Sequence, residues 1–172
     1  MSTSSPAFAV GALLGALSVE TSLQRELAAI LEREHQLLTA PSHEELMKLE
    51  VQKEAVLERV RIQAQEVKTC MQTLVQALSL PDTEAMSLTR LAGHLNEPDR
   101  TRLRGVQEAL IALISSVQEQ NRANDRLIHG ALTYVTQFLN FMRSMVAGVP
   151  QYLPDGTIQE LQQSGRLLAL KG

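Results

Sequence analysis

The chain has 172 residues, a formal net charge of −3 and 44% hydrophobic residues, enough for one domain with a buried core. Aromatics make up only 3% with no Trp, a composition of long helices rather than sheets. No Lys/Arg cluster stands out, which excludes the electrostatic footprint of nucleic-acid or anionic-membrane binding, and a lone Cys70 excludes an internal disulfide.

Residues Ala7 to Leu17 are apolar enough to resemble the core of a signal peptide. No Lys or Arg precedes them and the stretch is short for a bilayer, so it reads as the start of a bundle helix without stable membrane insertion. Ser4 or Ser5 before Pro6 supplies an N-cap and first turn. The first helix then runs over about 6–39, with Leu13, Leu17, Leu27, Leu31 and Leu38 on one face and Glu20 and Glu34 on that same face. Pro41 ends it, and Ser42 with Glu45 forms a capping-box signature for a second helix over about 42–79. The short connection predicts an antiparallel hairpin.

Leu46, Leu49, Val56, Val60, Ala64, Val67, Met71, Leu74 and Leu78 form the second seam, with Lys53 among them. The hairpin brings Lys53 within about one turn of Glu34. Either the two charges neutralise each other, or both snorkel to the edge of the seam. Pro81, Asp82 and Thr83 end this helix and lead to a short one over about 84–94. Asn96, Glu97, Pro98 and Asp99 then combine a capping side chain, a first-turn proline and acids near the positive end of the helix dipole.

The fourth helix, about 97–147, organises the rest. Leu103, Val106, Leu110, Leu113, Val117, Asn121, Asn124, Ile128, Ala131, Val135, Phe138, Met142 and Met145 follow at steps of three or four. At ~1.5 Å per residue it spans about 70 Å and needs partners to bury its seam. Asn121 and Asn124 interrupt that seam; buried amides need partners, and Glu34, Lys53 or Gln63 are the candidates, fixing register between helices. Toward the helix end Leu, Val and Ile give way to Tyr134, Phe138, Phe141, Met142 and Met145. Such residues suit irregular partners; they plug the wide end of the bundle or form a binding surface, and Phe141 lies furthest from the seam line. Gly148 and Pro150 stop the helix, and Pro154-Asp155-Gly156 marks a turn. The Leu-rich residues 157–172 are either a short amphipathic helix or a flexible tail.

The four histidines, His35, His43, His94 and His129, lack metal-ligand spacing, and no glycine-rich phosphate loop, CxxC or nucleophile motif occurs. The reading is therefore a non-enzyme without metal or cofactor, and all-α: an elongated antiparallel bundle of three long helices over 1–148 with a tail over 149–172.

Several features together resemble the FlgN-type flagellar type III export chaperones: the N-terminal Leu-rich helix with seam acids, Leu46-x-x-Leu49-x-x-x-Lys53-x-x-x-Leu57, Asn121-x-x-Asn124-x-x-Leu127-Ile128, and Tyr152-Leu153-Pro154-Asp155-Gly156. The chain departs in its apolar N-terminus and in a tail richer in Leu. The resemblance implies a cytoplasmic carrier, a monomer or weak dimer, for flagellar hook-associated (hook–filament junction) proteins. It implies that a cargo C-terminal helix is received on Tyr134, Phe138, Phe141, Met142 and Met145, with Ile158 and Leu161 of the tail. It implies docking on an export-gate component through Tyr152, Asp155 and Gly156. A structural coiled-coil homodimer or adaptor without cargo stands as the alternative. A phosphotransfer module, resting on His129 or His35, ranks below both for want of a basic partner near His129.

Overall fold

A computed structural model describes residues 5–40, 42–81, 83, 87–147, 151–152 and 158–159. Among the described residues four helices follow in order: α1 (Pro6–Thr39), α2 (His43–Ala77), α3 (Leu88–Gly93) and α4 (Glu97–Ala147). The only strand pairing among the described residues is a two-residue ladder in which β1 (Gln151–Tyr152) runs antiparallel to β2 (Ile158–Gln159). The chain is all-α, three of its helices long. It divides into two compact units, Met1–Leu127 and Ile128–Gly172.

The local signals act as their chemistry dictates, with three exceptions, one of them Ser5, which is the N-cap of α1 but makes no side-chain cap bond. Pro6 occupies the first turn of α1 behind Ser5, where its missing N–H costs nothing. Asn96 Oδ1 accepts a hydrogen bond from the Asp99 N–H at 3.4 Å, capping α4. The capping box at Ser42, by contrast, does not close: Ser42 is the N-cap of α2 but its side chain makes no cap bond. Glu45 is drawn away by Arg33, whose guanidinium donates to Glu45 Oε2 at 2.8 Å across the hairpin, a stronger charge-assisted bond. The third exception is α3, which begins at Leu88 behind Ser87 rather than near residue 84. Residues 84–86 lie outside the described residues.

α2 ends in a Schellman motif. Ser79 N–H donates to Gln76 O and Leu80 N–H to Val75 O, with Ser79 in the left-handed region at φ 53°. A side chain there carries strain of about 1–2 kcal/mol, against ~0.5–1 kcal/mol of extra chain entropy for glycine. Ser79→Gly is therefore expected to stabilise the protein by about 0.5–1 kcal/mol, read as a rise of a few degrees in thermal midpoint. An unchanged or lower midpoint would contradict it.

In Met1–Leu127, α1, α2, α3 and α4 share one apolar cluster built on Ala9, Val10, Leu13, Leu17, Leu74, Val75, Leu91, Ala92, Leu95, Leu103 and Leu110. A second cluster, Leu27, Leu31, Val56 and Val117, joins α1, α2 and α4. By length and composition alone α1 is apolar enough to cross a membrane, but its Ala9, Val10, Leu13 and Leu17 are buried in the first cluster. On α1, Leu37 is the buried residue and Leu38 only half-buried; on α2, Ala64 is exposed. Arg100 secures the corner between α3 and α4 by donating to the carbonyl oxygens of Ala92 and Leu95 at 3.2 and 3.0 Å. Cys70 is half-buried beside these residues. Burial, reinforced by the neighbouring Glu66 carboxylate 3.8 Å away, pushes its thiol up, which disfavours the thiolate.

Candidate functional site

Two features of the chain are not explained by apolar packing alone. The first is a buried polar cluster where three helices of Met1–Leu127 meet. Lys53 Nζ on α2 donates to Glu34 Oε1 on α1 at 2.8 Å, with side-chain exposures of 16% and 7%. Asn124 on α4 is 1% exposed and donates from Nδ2 to Glu34 Oε2 and to the Leu31 carbonyl, both at 2.8 Å. With both amide hydrogens committed, Asn124 Oδ1 acts as acceptor, and His35 Nδ1 lies 3.0 Å from it. His35 therefore carries its proton on Nδ1. Each oxygen of the Glu34 carboxylate has a donor, as a buried charge requires.

The structure thus brings Glu34, Lys53 and Asn124 together. Asn121 stands apart: half-buried, it donates to Asp125 Oδ2 on its own helix at 3.4 Å. Gln63 serves elsewhere, donating to the Ala16 carbonyl at 2.9 Å. A contrast follows. Asn124→Ala is expected to cost about 2–4 kcal/mol, because it strips a donor from a buried carboxylate, while Asn121→Ala stays within ~0.5 kcal/mol. Urea unfolding of the two variants checks this, and equal losses would contradict it.

The second feature lies in Ile128–Gly172. From Leu132 to Met145 every residue of α4 is exposed, although the apolar spacing continues without a break. Tyr134 is 71% exposed, Phe138 52%, Phe141 58%, Met142 40% and Met145 52%. The alternative that they plug the bundle end does not describe these positions. Sequence reasoning passed over Leu132 and Leu139, exposed on the same stretch, although each stands four residues beyond a seam position, Ile128 and Val135. Between Ile128 and Met145 the only formal charge is Arg143. The stretch is a contiguous apolar surface, the kind that marks an interaction site.

Tyr152 lies in β1 opposite Ile158 in β2, so Ile158 is extended rather than helical. Asp155, Gly156 and Leu161 lie outside the described residues. Among the described residues no group of three or more His, Cys, Asp and Glu is placed to hold a metal ion.

No curated protein and no solved structure matches the chain. A family model does: the one described as FlgN protein matches residues 1–160. The match covers nearly the whole length of the chain. The chain belongs to the FlgN family, the flagellar export chaperones.

Proposed function

We propose that this protein is a cytoplasmic chaperone for flagellar hook-associated proteins, seating an amphipathic C-terminal segment of the cargo on residues 128–145 of α4 and delivering it to the export gate. The observation that carries the reading is the exposed run of Tyr134, Phe138, Phe141, Met142 and Met145 on a helix with almost no charge. Aromatic rings offer large contact area at low entropic cost, and Met adapts to different apolar partners, so such a face binds helices in preference to water. Family membership supports a flagellar partner, and the order of the Tyr152 segment after α4 supports a second contact, to an export-gate component, through Tyr152, Asp155 and Gly156, while Ile158 and Leu161 add to the cargo contact.

Calorimetric titration of the protein with peptides from the C-termini of hook-associated subunits tests the reading. Micromolar or tighter binding with a negative heat-capacity change is the expected result. Failure of the folded protein to bind any such peptide would turn the reading toward a structural homodimer, which the same exposed face would also serve and which sedimentation would reveal as a stable dimer. Tyr152→Ala is expected to leave cargo affinity within about twofold and to weaken binding of the loaded chaperone to the purified gate domain at least tenfold. Equal loss at both partners would remove the docking role.

A further inference from the structure

The cargo-binding reading above leaves open what shape of partner the exposed face takes, and its width on α4 answers that. In Met1–Leu127 the buried line Leu103, Leu110, Val117 and Asn124 is flanked by half-buried Gln107 on one side and by half-buried Gln120 and Ala123 on the other. At about 100° per residue these positions span about 200° of the helix circumference. One neighbour does not supply that cover: residues of α1 and of α2 share both apolar clusters with α4. A helix facing a single partner needs only the narrow stripe of a two-stranded seam.

From Leu132 to Met145 the same spacing continues, and the apolar arc is about as wide as the band that α1 and α2 cover further up. It runs from Leu132 and Leu139 on one edge, through Val135 and Met142, to Tyr134 and Phe141 on the other, about 180° in all. Both edges are open to solvent, with Leu132 at 64% and Tyr134 at 71%. A single amphipathic helix laid on this face would cover one edge and leave the other wet.

We propose that the occupant is a pair of amphipathic helices of the cargo, lying side by side against residues 132–145 as α1 and α2 lie against residues 103–124. One helix covers the Leu132–Leu139 edge and the other the Tyr134–Phe141 edge, with Val135 and Met142 between them. Arg143 flanks the Leu132–Leu139 edge at helical spacing and is the only formal charge in the stretch, so the helix on that side carries a complementary acidic residue at its rim. This reading deepens the proposed function and rests on it.

Two segments of one hook-associated subunit serve as probes against the full chain: a peptide holding the last helix alone, and a longer C-terminal segment that includes the preceding helix. They are titrated into wild type, Leu132→Ala/Leu139→Ala and Tyr134→Ala/Phe141→Ala, with circular dichroism confirming that all three keep their helicity. Expected results are at least tenfold tighter binding of the longer segment, and at least a tenfold loss for that segment in each double variant. The single-helix peptide is expected to respond to one edge only. Equal affinity of the two segments, or a longer segment insensitive to one edge, would overturn the helix pair while leaving the carrier function standing. No binding of either segment would overturn both. Sedimentation of the protein alone supplies the last arm: a stable dimer abolished by either double variant would make the occupant a second copy of this chain and overturn the proposal.

Discussion

Lys53→Met is expected to be among the most damaging single substitutions in the bundle, lowering the free energy of unfolding by about 3–5 kcal/mol and the thermal midpoint by about 10 °C. The reason lies with the residue that stays behind. Glu34 is 7% exposed along its side chain, and one of its oxygens has Lys53 as its donor. Without the ammonium that oxygen is left as a nearly buried charge with no donor. The apolar replacement Glu34→Met/Lys53→Met/Asn124→Leu is expected to recover most of the loss, because a buried ionic group replaced as a whole by packed side chains is often neutral or better. Thermal and urea unfolding of wild type, the single variant and the triple variant decide between accounts. A Lys53→Met protein of wild-type stability would mean that the pair is an incidental surface contact, and a triple variant as weak as the single one would mean that packing volume matters more than charge.

That polar cluster also shows where the sequence is legible and where it is not. The rule that two charges on facing seams of a hairpin need each other requires only the spacing of Glu34 and Lys53 and the turn at Pro41, so the pairing is one of two readings that the sequence allows. Which asparagine joins it was not. Asn121 and Asn124 are one turn apart and both follow the seam, and only the lateral position of α1 against α4 buries one of them. His35 was beyond reach for the same reason: next to Glu34 in sequence, it reads as a surface residue, and its bond to Asn124 exists because α4 passes there. The helix ends are written in local chemistry, in Pro6, Asn96 and Pro98, and local chemistry is readable. The capping box at Ser42 fails for a non-local reason, since Arg33 on α1 competes for Glu45. The aromatic stretch was legible as a change of residue type, but exposure depends on what lies alongside a helix, and spacing alone does not contain that. Glu20, buried with only one carboxylate oxygen bonded, to Gln24, shows the same limit: its place on the seam was readable and its incomplete satisfaction was not.

The exposed stretch gives the largest expected functional effect. Phe138→Ala/Phe141→Ala is expected to weaken cargo binding by about 10²–10³-fold while changing stability by less than ~1 kcal/mol. The separation of the two effects follows from burial. Both rings are more than half exposed in the free chain, so truncating them removes little that holds the fold. In the complex each ring would be desolvated, and burying an aromatic side chain contributes about 2–3 kcal/mol. Two rings together account for a loss of that order even if their contributions are not fully additive. The two residues also differ in placement: Phe138 continues the line of the seam, whereas Phe141 stands at its edge. Phe138→Ala alone is therefore expected to cost more than Phe141→Ala alone against the peptide holding only the last helix, because Phe138 lies near the middle of the face, within reach of a helix on either edge, whereas Phe141 is reached only from its own edge. Calorimetry on the three variants beside unfolding curves separates the possibilities. Loss of binding together with a large loss of stability would place the rings in a core rather than on a surface, and unchanged binding would remove this face from the carrier's mechanism.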